Sequence, residues 1–131
     1  MDYDSFVGEV QHRLELSSSG EAVRATRAVL TTLGERLGSG EASDLAALLP
    51  MEIDRFLTEV DSGQQFSSDE FLDRVAERAR VEQSDAAFYA KAVVALACSA
   101  APDSEIQDIR AQLPDAFADL FELADAEAAP W

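Results

Sequence analysis

The chain has 131 residues, room for one domain or for two small halves sharing a core. Ten Lys and Arg stand against 26 Asp and Glu, a net charge of −16, yet 47% of the residues are hydrophobic, which excludes wholesale disorder. No apolar run approaches the ~18 residues of a membrane span, and a single cysteine excludes an internal disulfide.

Helical spacing begins at once. Asp2 opens a first helix whose apolar face is Phe6, Val7, Val10 and Leu14. A second starts at Ser18 or Ser19, with Glu21 placed to close a capping box on Ser18. Its apolar stripe is Ala22, Thr26, Val29, Leu30, Leu33 and Leu37. Arg24, Arg27, Thr31 and Glu35 lie away from that stripe, and Gly38-Ser39-Gly40 ends the helix. A third carries Leu45, Leu48 and Leu49. Pro50 interrupts it and is tolerated as a first-turn residue of a short fourth helix burying Ile53, Phe56, Leu57 and Val60.

After a joint near 61–65 the order recurs. Ser67 and Glu70 form a capping box, with Phe66 and Phe71 at the staple positions, ahead of Leu72, Val75 and Ala79. The next helix runs from about Ser84 to Ala101, where Pro102-Asp103 ends it and caps its successor. That successor carries Ile106, Ile109 and Leu113, then Pro114 precedes Phe117, Leu120 and Phe121. Residues 124–131 read as a flexible acidic tail. Nothing alternates with period two, so the predicted class is all-α without a sheet.

The recurrence reads as a duplication. At an offset of 65, Phe6, Val10, Arg13, Ser19, Ala22, Ala25 and Val29 meet Phe71, Val75, Arg78, Ser84, Ala87, Ala90 and Val94. At an offset of 64, Glu41, Asp44, Ala47, Leu49 and Pro50 meet Glu105, Asp108, Ala111, Leu113 and Pro114. Two pseudo-symmetric helical repeats, 2–60 and 67–123, are expected to pack into one domain over 1–123. Their seam is expected where Phe and Leu of the last helices meet.

The same residues carry a family resemblance. Phe6, Val10, Arg13, Ala22, Ala25, Val29, Leu30, Leu33-Gly34-Glu35-Arg36-Leu37, the run Gly40-Glu41-Ala42 with Asp44-Leu45-Ala46 and Leu48-Leu49-Pro50, and then Asp108-Ile109-Arg110-Ala111-Gln112-Leu113-Pro114, resemble the family catalogued as domain of unknown function 2267. The resemblance covers roughly 2–123, and the acidity is similar to that of the family's haloarchaeal members. It implies a two-repeat helical fold and no catalytic residues. The second unit departs at Ala92, opposite Arg27, and at Cys98, opposite Leu33.

Candidate chemistry is sparse. Glu9-x-x-His12 has the spacing of carboxylate-bridged di-iron bundles, but the matching position in the second unit is Glu77, so a surface pair is expected and no metal site. Glu41-x-x-Asp44 and Glu105-x-x-Asp108 are repeated. They read either as a site for a cation or basic partner, or as first-turn acids that favour the helix dipole and cap it. Arg13 and Arg78 repeat too and are expected to form ion pairs pinning the first helix of each unit. Arg24 and Arg27, one turn apart, are the basic pair without a repeat equivalent. These four arginines are the candidate contacts for an anionic ligand or partner. Cys98 lies among Val93, Val94, Leu96 and Ala97 and reads as core, with no basic neighbour to activate it. Gly34, Gly38 and Gly40 make no phosphate loop with the distant Lys91. The two-helix opening of each unit resembles that of bacterial histone-like proteins, whose basic DNA-binding strands have no counterpart here.

Only Lys91 is a lysine; the other nine basic residues are Arg. So acidic a surface repels itself until salt near 1 M shortens the Debye length to ~3 Å. The composition therefore predicts a protein of the salt-rich cytoplasm of a halophile, and it argues against nucleic acid as partner. With no assembled catalytic set and no cofactor implied, the expected function is a non-enzymatic interaction or adaptor module with protein partners. The alternative is a binder of an anionic ligand, or a nucleic-acid-associated regulator, using Arg13, Arg24, Arg27 or Arg78.

Overall fold

The computed structural model describes residues 1–128. In chain order the elements are α1 Tyr3–Arg13, α2 Ser19–Arg36, α3 Ser39–Ala46, α4 Ile53–Thr58, α5 Ser68–Ala79, α6 Gln83–Cys98, α7 Asp103–Ala111, a 3-10 helix Asp115–Phe121, and α8 Glu122–Ala128. Among the described residues there is no strand, and one continuous core joins the helices into a single bundle. No helix among the described residues is long and apolar enough to cross a membrane.

Side-chain caps set three of the helix starts, those of α1, α2 and α5. Asp2 accepts from the Ser5 amide at 2.8 Å, and Ser67 accepts from the Glu70 amide at 3.1 Å. Phe66 and Phe71 stack at 6.4 Å across that second start, closing the staple. The capping boxes are less regular than their sequence pattern. Ser18 does cap α2, but the Glu21 carboxylate accepts from the Ser17 amide and hydroxyl rather than from Ser18. At α5 the Glu70 carboxylate turns to Arg74 Nε at 2.8 Å, because a guanidinium one turn on offers a charge-assisted bond. α6 ends at Cys98, short of Ala101, and Pro102 rather than Asp103 is the N-cap of α7, with no side-chain bond. Neither Pro50 nor Pro114 enters a first turn: Glu52 is the N-cap of α4, and Pro114 is itself the N-cap of the 3-10 helix.

α2 and α6 are central. Ten residues of α2 and nine of α6 are buried, more than one face can hold, so each is flanked on several sides. α2 touches α1, α4, α5 and α6. Its approach to α4 requires Gly34: a Cβ there would run into the Leu57 carbonyl oxygen. The seam between the halves differs from the expected one. α4 lies on α2 and α3, and the 3-10 helix lies on α6 and α8; the halves are joined by α2 against α5 and α6, α1 against α6, and α3 against α7. Helices of six or seven residues carry too little apolar surface to form a seam of their own, so each covers the long helix of its half.

The turns after α1 and α5 are alike. Glu15 and Arg80, 65 positions apart, take left-handed φ values of 53° and 61°. After each, the next amide (Leu16, Val81) donates to the carbonyl five residues back at 3.0 Å. The connection between the halves is tied to the end of α2: Gly63 N–H donates to Leu37 O at 2.7 Å and Gln64 N–H to Glu35 O at 2.8 Å. Arg36, only 4% exposed, donates Nε to Phe66 O at 2.8 Å and stands over the rings of Phe66 and Phe117.

The expected flexible tail is helical over Glu122–Ala128. Arg13 NH1 binds Glu127 at 3.0 Å, and Arg110 NH1 binds Asp125 at 2.7 Å while lying over Phe121. Those partners come from distant helices, which is why the acidic composition alone did not reveal the helix. The remainder of the tail, 129–131, lies outside the described residues.

Candidate functional site: a basic cleft on the outer face of α2

Arg24, Arg27, Thr31 and Glu35 follow one another at three and four residues along α2, so they form one polar stripe opposite its buried face. The end of α5 brings Arg78 and Arg80 alongside, and Val60, just beyond α4, closes the other flank. The result is a cleft of about 600 Å³. Its wall holds four guanidiniums and one carboxylate, a local positive excess on a chain of net charge −16.

The carboxylate is already committed. Glu35, with its side chain 13% exposed, accepts from Arg78 NH1 and NH2 at 2.7 and 2.9 Å and from Arg74 NH1 at 3.2 Å. Burial pushes its carboxyl up, but the Arg78 bonds and charge, then those of Arg74, outweigh this and hold it below its usual value. Arg78 NH1 also donates to Thr32 Oγ1 at 2.8 Å, and Arg74 is fixed by Glu70, by Gln64 Oε1 at 2.9 Å and by the Phe66 ring 3.9 Å from its guanidinium carbon.

The other three guanidiniums are different. Among the described residues no carboxylate pairs with Arg24, Arg27 or Arg80. Arg27 is steadied instead by the Phe56 ring, 5.4 Å away. Arg80 occupies the left-handed C-cap of α5, a position glycine fills at less cost, and that turn carries its side chain to the cleft.

Of the four arginines expected to contact an anion, the fold brings Arg24, Arg27 and Arg78 together. Arg13 lies elsewhere, paired with Glu9 at 2.9 Å and with Glu127. Arg13 and Arg78 both form ion pairs, as their repetition led us to expect. Arg80 escaped sequence reasoning because a left-handed cap is read from glycine or asparagine, and arginine gives no such signal. The links of Glu35 to Arg74 and Arg78, and of Arg36 to Phe66, escaped because they span 30 to 43 positions.

The remaining candidates resolve as follows. Glu9 pairs with Arg13, leaving His12 exposed and outside that pair. The acid pairs do not cap their helices: Glu41 accepts from Gln112 Nε2, and Gln112 Oε1 accepts from the Gly38 amide at 2.9 Å. Glu105 Oε1 is buried without a partner. Desolvation, then Asp44, Asp108 and Glu41, raise the Glu105 carboxyl, so the two acid pairs meet across α3 and α7. Among the described residues no group of three or more His, Cys, Asp or Glu is placed to hold a metal ion. Cys98 is buried, and desolvation lifts its thiol to about 11, far from the thiolate a nucleophile needs.

A family model described as an uncharacterized conserved protein, DUF2267, matches residues 3–120. The chain belongs to the DUF2267 family. No curated protein matches it. In this DUF2267 chain the match ends at the close of the 3-10 helix, so it includes every residue of the cleft.

Proposed function

We propose that this protein binds a small anionic, phosphate-bearing ligand in the α2 cleft, without turning it over. The observation that carries the reading is the trio Arg24, Arg27 and Arg80. Three guanidiniums without carboxylate partners among the described residues face one concavity in a chain where acids outnumber bases by more than two to one. An unpaired cation beside so many carboxylates is kept available only if the fold holds it away from them, by a ring for Arg27 and a fixed turn for Arg80. The volume lies in the range of small-molecule sites. The titratable groups of the wall are arginines and a carboxylate engaged twice over, which supports binding rather than catalysis. The scarcity of lysine supports a salt-rich cytoplasm as the setting.

The test is calorimetric titration of the full chain with inorganic pyrophosphate at two KCl concentrations, beside the Arg24→Gln/Arg80→Gln variant. The reading expects saturable binding, weakened at least tenfold in the variant and weakened by salt. No binding by the full chain, or equal binding by the variant, refutes it. A protein-docking module is a second reading, favoured by the exposure of Leu48 and Met51 on either side of Pro50. Two apolar side chains are a smaller footing than the basic cleft, so the anion reading comes first.

A further inference from the structure

The basic cleft continues past Arg27. A second cavity of about 450 Å³ shares Val23, Arg27, Thr31 and Val60 with it, so the two form one groove along α2. The chemistry changes at the junction. Beyond Arg27 the walls are Tyr3 and Phe56, and the rim carries Glu52, Glu59 and Arg55. Glu52 holds a positive φ of 79°, an uncommon conformation for a residue with a side chain, at the edge of this cavity.

Arg27 serves both compartments. Its partner is the face of Phe56. A ring neutralises no charge and leaves the in-plane N–H donors free, whereas a carboxylate such as Glu35 takes two of them from Arg78. The junction thus offers a fixed, fully charged donor fork with an aromatic wall directly behind it.

On the anion-binding reading above, we propose that the ligand is a nucleoside monophosphate or a close chemical analogue. Its phosphate sits against Arg24, Arg27 and Arg80. Its flat ring lies in the Tyr3–Phe56 compartment, with N–H or O–H donors toward Glu52 and Glu59. The same two carboxylates set the direction of binding and repel a further phosphate. A polyphosphate or a single strand of nucleic acid threaded along the groove would drive its charges onto them.

The experiment titrates the full chain by calorimetry with inorganic phosphate, adenosine monophosphate and a thymidine oligonucleotide of about ten residues, with amide chemical shifts followed by NMR. Adenosine monophosphate is expected to bind at least tenfold tighter than phosphate. It should move the resonances of residues 52–56 as well as those of Arg24 and Arg80, where phosphate moves only the latter. Phe56→Leu should remove most of that advantage; because the ring also steadies Arg27, phosphate binding should fall as well, but by a smaller factor than adenosine monophosphate binding. The exposed pair Glu52→Gln/Glu59→Gln, which does not touch the core, should narrow the preference for the mononucleotide over the oligonucleotide. Equal binding of phosphate and adenosine monophosphate, or tighter binding of the oligonucleotide, overturns this inference and leaves the basic cleft standing. Failure of every probe overturns both.

Discussion

Replacing Glu35 by Gln tests the hub that joins the halves. Its carboxylate takes three guanidinium bonds, two from Arg78 and one from Arg74. Each charge-assisted bond is worth ~1.5–3 kcal/mol in a buried setting, and breaking a fully buried pair costs ~3–5 kcal/mol. The hub is not fully buried: the side chains of Arg78 and Arg74 are 35% and 25% exposed and regain water when released. Gln also keeps one acceptor. We therefore expect a loss of about 2 kcal/mol, which in a domain of this size lowers Tm by roughly 8 °C. Direct contact at 2.7–2.9 Å leaves little room for screening, so most of the loss should persist in concentrated KCl. Glu70→Gln, which removes an exposed pair on the same Arg74, should cost less than about 0.5 kcal/mol and serves as control. The pH dependence has a definite sign. The folded state holds the Glu35 carboxyl below its usual 4.5, so its stabilisation is complete above that value and is lost as pH falls through the lowered one. The gap between variant and parent should close on acidification. A neutral-pH Tm drop under about 2 °C, or a gap that does not narrow in acid, refutes the reasoning.

Three further outcomes are expected. Gly34→Ala should lower the urea midpoint by an amount equal to about 2 kcal/mol, although alanine is the better helix former, because its Cβ meets the Leu57 carbonyl; a stabilised variant would show that α2 and α4 can separate freely. Arg80→Gly should raise stability by up to about 1 kcal/mol by relieving the left-handed cap, while pyrophosphate binding falls; a gain in stability without loss of binding would remove Arg80 from the site. Glu105→Gln should raise Tm slightly at neutral pH, by the equivalent of about 0.5 kcal/mol. Because the folded state raises the Glu105 carboxyl, the parent gains stability as pH falls through that value and the advantage of the variant disappears in acid; an advantage constant with pH contradicts the meeting of acids across α3 and α7.

Much of the architecture was legible along the chain because helices are local objects. Apolar residues recur three and four apart, and Asp2, Ser18 and Ser67 announce helix starts within a few positions of the amides they cap. The stripe Arg24, Arg27, Thr31 and Glu35 was visible as a non-core face of α2, and three of the four candidate arginines do share a cleft. What periodicity leaves out is which faces meet. It placed the seam at the short last helices, where the fold uses α2, α5 and α6, and it read residues 124–128 as tail, where Arg13 and Arg110 hold a helix.

Charge balance and helical period were thus settled by amino-acid order alone, since each depends on residue identity and near neighbours. Which arginines are paired with a carboxylate and which are not was settled only by packing. Arg78 finds Glu35 at 43 positions' distance, Arg27 finds a ring, and Arg80 is aimed by a backbone turn that its own side chain disfavours. Coulomb and aromatic contacts act over a few ångströms of space, and the chain brings those ångströms about only after it has folded.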